Sequence, residues 1–123
     1  MTEQIIGAFY TVYNELGYGF LEKVYENALA LEIRKRNLVV KQQQHIKVYY
    51  DNIIVGEYFA DLLVADRVIV EIKAAENIDD AHLAQLTNYL KATRFEVGLV
   101  LNFGPQPQVK RRIFDQQKSI KSI

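Results

Sequence analysis

Apolar and polar positions along the chain change period several times, and each change marks a new element. Ile5, Ile6, Phe9, Val12, Tyr13 and Leu16 recur at helical spacing, and Gly17-Tyr18-Gly19 stops that helix. Leu21, Val24, Tyr25, Ala28, Leu29 and Leu31 give a second helix that runs to Arg34-Lys35-Arg36-Asn37. Those cations suit the negative end of a helix dipole, and Asn37 is a fair terminator. A nucleic-acid contact is the other reading of the same cluster.

The period then shortens to two. Val39 to Tyr50 reads as a long strand, Asp51-Asn52 as a two-residue turn, and Ile53 to Val64 as the returning strand, with Gly56 marking a bulge. Val68 to Lys73 is a third strand, so the centre of the chain is an antiparallel meander. Asp79-Asp80 opens a third helix with the stripe Leu83, Leu86 and Leu90. Val97 to Leu101 is an apolar strand of the kind buried on both faces. Asn102 to Pro107 reads as a loop, and Val109 to Phe114 as a final strand whose Lys110, Arg111 and Arg112 protect an edge or meet phosphates. The order α-α-β-β-β-α-β-β predicts an α/β domain with a mixed sheet flanked by helices. Residues 1–123 make one domain, with 115–123 expected to fray.

Candidate chemistry concentrates in the hairpin from Asp61 to Lys73. With the turn symmetric about Asp66, Val64 faces Val68, Leu62 faces Val70 and Asp61 faces Glu71. Asp61, Glu71 and Lys73 then emerge on one face. Two carboxylates opposite each other repel, and a hard cation such as Mg²⁺ or Mn²⁺ between them removes the conflict. An acidic pair with a lysine beside it suits metal-assisted hydrolysis. A different register would move Asp61 to the other face and dissolve the set. Glu22 and Glu26 stand one helical turn apart, either as an exposed helix surface or as a source of a further carboxylate for this site. His82, Gln85 and Tyr89 share a face of the third helix, either as a polar boundary or looking into the cleft beside Lys73. His45 reads as a solvated or hydrogen-bonded strand residue. Tyr49, Tyr50 and Tyr58 read as core, or as a surface for a homodimer or protein partner.

Composition narrows the classes. The 15 basic and 15 acidic residues balance, so bulk charge gives no pull toward nucleic acid. There is no cysteine, which removes disulfides, thiolate metal sites and thiol nucleophiles. No apolar run approaches a membrane span and the N-terminus lacks a signal-like core, so a cytoplasmic protein with no membrane association is the expectation.

The element order, with Asp61 and Glu71-Ile72-Lys73 on successive strands, resembles the core of the PD-(D/E)XK nuclease superfamily. Gly19-Phe20-Leu21-Glu22-Lys23-Val24-Tyr25 resembles the G-x-x-E-x-x-Y signature of the GxxExxY family within it. The likeness runs from Ile5 to Phe114 and takes in Ala60-Asp61-Leu62-Leu63, Val68 to Ala74, Gln85 to Leu90, and Val97 to Phe103. It departs from the superfamily pattern at Ala60, where a proline often precedes the first acid. The resemblance implies a restriction-endonuclease-like fold and a Mg²⁺- or Mn²⁺-dependent nuclease acting on DNA or RNA. It implies that Asp61, Glu71 and the Ile72 carbonyl hold the metal with Glu22 near it, and that Lys73 acts on the attacking water and the phosphate. Gln85 and Tyr89 resemble the Q-x-x-x-Y element that supports the site, and Tyr25 belongs to the helical signature. A non-catalytic nucleic-acid-binding or protein-interaction module on the same fold is the alternative.

Overall fold

The computed structural model describes residues 1–115, so all but the first residue of the segment expected to fray lies outside the described residues. Helices α1 (Thr2–Leu16) and α2 (Glu22–Lys35) are followed by β1 (Val40–Tyr50), β2 (Ile53–Val64) and β3 (Val68–Lys73). Helix α3 (Asp80–Lys91), β4 (Val97–Phe103) and β5 (Pro107–Ile113) complete the described chain. The five strands form one sheet in the order β1-β2-β3-β4-β5. All neighbours are antiparallel except β3 and β4, which run parallel because α3 carries the chain across between them.

Two apolar layers hold the helices to the sheet. On one face α1 and α2 bury Ile5, Phe9, Tyr25, Leu29 and Ile33 against Leu62, Val70, Leu99 and Leu101. On the other, α3 lays Leu86 and Leu90 over Ile69, Val100, Ala60 and Ile46. Gly98 permits that approach, because a Cβ there would sit 2.5 Å from Leu86 Cδ1. Strand β3 lies at the centre and is buried along nearly its whole length.

Local chemistry explains the boundaries. Gly17 ends α1 at a φ of 65°, in the left-handed region that glycine enters without strain. Asn37 does the same work after α2 at φ 65°. The cations before it are engaged structurally: Arg34 donates to the Val40 carbonyl at 2.9 Å, Lys35 pairs with Glu32 at 3.2 Å, and Arg36 donates to Thr11 at 3.0 Å. Asp51 and Asn52 both take positive φ, as a tight hairpin turn requires. The expected irregularity at Gly56 is present as a register shift, since Val48 faces Gly56 while Tyr49 faces Ile54. Asp79 caps α3 by accepting from the His82 backbone, and the His82 ring accepts in return from the Asp79 backbone.

Three expectations need correction. Strand β4 continues through Asn102 and Phe103, and β5 begins at Pro107, so the loop between them is shorter than the composition suggests. Asn102 ends the run of apolar residues, yet it is fully buried because its amide bonds to neighbouring backbone. At the N-cap of α2 Leu21, and within it Val24 and Leu31, point to solvent, while Glu26 is buried at 4% exposure. The polar side chains of β1 reach over that position and satisfy a carboxylate there. Of the tyrosines read as core or surface, Tyr49 and Tyr50 lie exposed at the tip of the β1–β2 hairpin, and Tyr58 is partly exposed although its ring meets Tyr89 of α3 at 5.6 Å.

Candidate active site

The hairpin register is the predicted one: Val64 faces Val68, Leu63 faces Ile69 and Leu62 faces Val70. The ladder stops there. Beyond it, side chains take over the backbone hydrogen bonds. The Asp61 amide donates to Glu71 Oε2 at 2.7 Å, and the Ile72 amide donates to Asp61 Oδ2 at 2.7 Å. Each carboxylate thus latches the opposite strand with one oxygen. Its second oxygen makes no hydrogen bond among the described residues.

Asp61 stands where β1 and β2 both lose their regular alternation. Leu62 and Val64 face the α1–α2 layer, whereas Ala60 packs under α3 with Leu63. In β1, Val40 belongs to the first layer and Ile46 to the second, although they are an even number of residues apart. Gln42 faces Leu62 and Gln44 faces Ala60, and between them Gln43 adopts a φ of 55°. A left-handed residue is unusual in a strand and costs a non-glycine side chain about 1–2 kcal/mol. The reversal aims the distal arm of the hairpin at α3 and leaves Asp61 half-buried at the seam.

Electrostatics set the pair apart. Burial, then the Asp61 charge, pushes the Glu71 carboxyl up to about 8. Burial also raises Asp61; the Ile72 amide hydrogen bond and the Lys73 charge oppose the effect, and the charges of Glu26 and Glu22 add to it. Like charges in a desolvated place hold protons unless a cation compensates them. The donor set is chemically suited to such a cation, since carboxylate and carbonyl oxygens are hard ligands. Among the described residues no three His, Cys, Asp or Glu side chains gather as a ready metal cluster, so the acidic core of the site is a pair.

The remaining residues arrange themselves around that pair. Lys73 Nζ lies 3.5 Å from Gln85 Oε1, and Gln85 Nε2 donates to the Tyr89 hydroxyl at 2.9 Å. Burial and the charges of Glu71 and Asp61 raise the Tyr89 hydroxyl to about 12, so it stays protonated beside the acids. Glu22, at the first turn of α2, accepts from the Ala74 amide at 3.2 Å, one residue beyond Lys73. Tyr25 stands back from the acids. Its hydroxyl donates to the Gly17 carbonyl at 2.7 Å and accepts from the Phe20 amide, and its ring stacks on Phe103 at 4.4 Å. It fixes the glycine turn from which α2, and hence Glu22, departs; Gly19 enters that turn at φ 115°. His82 is spent on the helix cap, and His45 stacks on Phe59 and binds Glu57 at 2.8 Å. Neither joins the site.

The model of the PD-(D/E)XK nuclease superfamily matches residues 1–113. The chain belongs to the PD-(D/E)XK nuclease superfamily. Two solved structures share the fold of this PD-(D/E)XK chain. An alkaline exonuclease (LHK-Exo) from Laribacter hongkongensis superposes with a TM-score of 0.58 at 16% identity, over 80% of this chain and 59% of that one. The structure of SSO0001 superposes with a TM-score of 0.58 at 14% identity, over 81% of this chain and 55% of that one. The chain therefore spans somewhat over half the length of each. No curated protein matches it.

Several supporting residues in this PD-(D/E)XK domain were given no role by the sequence. Asn102, level with Lys73 on the neighbouring strand, accepts from the Ala75 amide and donates to the Ala75 carbonyl, both at 2.9 Å. Gly104 lies against the same carbonyl, and a Cβ there would collide with it. Together they seat the segment that leaves the lysine. Gln42 and Gln43 each donate to Glu26 at 2.8 Å. A polar triplet in a strand was the available signal for that last contact, without a way to name its partner. No helix among the described residues is long and apolar enough to cross a membrane.

Proposed function

We propose that the chain is a nuclease of the GxxExxY type that hydrolyses phosphodiester bonds in nucleic acid with a bound divalent metal, Mg²⁺ or Mn²⁺. The observation that carries this reading is the reciprocal latch of Asp61 and Glu71, with Lys73 on the same strand and tied to Gln85. The placement of Gly19, Glu22 and Tyr25 supports the family assignment: one frees the turn, one reaches the strand end, and one braces both.

The free oxygens of Asp61 and Glu71, with the Ile72 carbonyl, would hold the ion. When bound, it supplies Lewis acidity that makes water a better nucleophile near neutral pH and offsets charge on the scissile phosphate. Lys73 is the cation that the chain itself brings to the acids. Its ammonium orients the attacking water and stabilises negative charge that grows on the phosphate in the transition state. Gln85 accepts from that ammonium and so limits where it can point, while Tyr89 fixes the amide of Gln85. Glu22 holds the backbone just past Lys73, which keeps the lysine at the end of its strand.

Cleavage of single- and double-stranded DNA and RNA, linear and circular, tests the reading. Product formation requires Mg²⁺ or Mn²⁺, stops with EDTA, and falls at least about 100-fold in Lys73→Ala. Mn²⁺ binding by calorimetry survives Lys73→Ala and disappears in the Asp61→Ala, Glu71→Ala double variant. Unchanged Mn²⁺ affinity in that double variant would refute the site, and salt-dependent binding without product in wild type would favour a non-catalytic module.

A further inference from the structure

The β1–β2 arm continues past Asp61, and its two faces differ. Ile46 faces Tyr58 across the strands, and both lie toward α3: Ile46 packs in the α3 layer, and the Tyr58 ring meets Tyr89 at 5.6 Å. Side chains alternate along a strand, so the next pair, His45 and Phe59, faces away from α3. That is the side of the sheet on which α1 and α2 lie, yet Phe59 stays 53% exposed. The two rings are nearly parallel, 9° apart in plane and 4.7 Å between centroids. Glu57 holds the imidazole in place, with its Oε2 2.8 Å from His45 Nε2. One face of Phe59 is thus braced by a second ring while half of the side chain remains open to solvent.

The position of this ring decides what it meets. Phe59 precedes Asp61 by two residues, about 7 Å along the strand. The inference rests on the nuclease reading, which puts a phosphodiester at Asp61, and a base next to that phosphate comes within reach of Phe59. Charge does little to hold the strand here. The 15 basic and 15 acidic residues of the chain cancel, and on the arm Lys47 stands directly opposite Glu57. Stacking on an aromatic ring supplies affinity without charge and accepts any base. A base inside a duplex has its faces covered by its neighbours, so only an unpaired base offers one. We propose that Phe59, backed by His45, stacks an unpaired base of the substrate, so that the strand crossing the arm beside the acid pair is single. A cross-strand ring pair also stiffens a hairpin, and the two roles give different results.

The chain contains no tryptophan, so Phe59→Trp carries a single fluorescent reporter. It is placed in Lys73→Ala protein with Mg²⁺, so that binding is read without cleavage. A thymidine strand of about 12 nucleotides quenches the indole on stacking. An abasic strand of equal length and a closed circular duplex leave the emission unchanged. In the same background, Phe59→Leu binds a labelled thymidine strand at least about fivefold more weakly by anisotropy, and the abasic strand equally well. A ring that only stiffens the arm would weaken both strands alike, and that result overturns the proposal. So does a thymidine strand that leaves the indole unquenched, or equal quenching by the abasic strand or the circular duplex. Cleavage by wild type is scored separately: product without quenching sinks this inference alone, and quenching without product sinks only the nuclease reading.

Discussion

Two glutamates in this small domain are almost equally hidden, at 3% and 4% exposure, and their surroundings differ completely. Glu26 receives Lys23 at 3.1 Å and the amides of Gln42 and Gln43 at 2.8 Å each. Glu71 receives one backbone amide and faces Asp61. The first has donors on both oxygens and ties α2 to β1. The second is left short of donors next to a like charge. Burial alone therefore does not mark a functional acid. What marks it is a deficit of compensating hydrogen bonds or charge, because such a group gains most from a cation.

Neutralising each acid in turn breaks the comparison most sharply. On the proposed function, Glu71→Gln removes a metal ligand and lowers metal-dependent cleavage at least about 100-fold. It also stabilises the metal-free protein at pH 8.5 by on the order of 1–3 kcal/mol, since the unpaired charge is gone. Glu26→Gln does the reverse. It turns an amide toward three donors, costs about 1–3 kcal/mol in urea unfolding, and leaves Mn²⁺ affinity within a few-fold. Equal losses of stability in the two variants would erase the distinction.

Titration sharpens it next. The Glu71 carboxyl moves from an ordinary 4.5 up to about 8 on folding, and Asp61 moves in the same direction. The folded state thus binds these protons more tightly than the unfolded chain does. Their contribution to stability is complete below about pH 4.5 and is lost as pH rises through 8. Thermal unfolding of the metal-free protein should show wild type losing stability relative to Glu71→Gln between those limits. Mg²⁺ should restore wild type alone at the alkaline end. Parallel profiles for the two proteins would contradict the raised carboxyl.

The smallest effect concerns the strand on which Glu26 leans. Gln43→Ala loses the hydrogen bond to Glu26 and keeps a side chain at φ 55°. Gln43→Gly loses the same bond and relieves the backbone. Urea unfolding should therefore place Gly above Ala by about 1 kcal/mol, with Gly near wild type. The opposite order would mean that the left-handed conformation is not held at that position in solution.

The sequence carried the hairpin because its register follows from a single assumption. With alternation and a turn centred on Asp66, the facing of Leu62 with Val70 leaves no freedom. The Lys73, Gln85 and Tyr89 line was legible for a similar reason, since Gln85 and Tyr89 lie one helical turn apart after a short connection. Glu26 was not legible. Its spacing from Glu22 describes a shared helix face, and nothing local says that two glutamines sixteen and seventeen residues later will close over it. Gln43 carries no turn chemistry either, so the reversal of alternation beside Asp61 comes from tertiary packing. His82 was left between a polar boundary and the cleft. A histidine three residues after an aspartate can complete a cap, and that local bond takes it away from the cleft.

The contacts that assemble the site also span very different lengths of chain. The Asp61–Glu71 latch closes 10 residues, the Asn102–Ala75 clamp 27, and the Glu22–Ala74 bond 52. Loop-closure entropy grows with the logarithm of length, so the last costs about 1.5 kcal/mol more to close than the first. The acid pair is thus the cheapest part of the site to assemble and can form within the local meander. The glutamate that steadies the lysine's strand end is the most expensive. A fluctuation that lifts α2 from the sheet would release Glu22 while the two acids stay latched, giving the site a loose state in which its acidic pair remains whole.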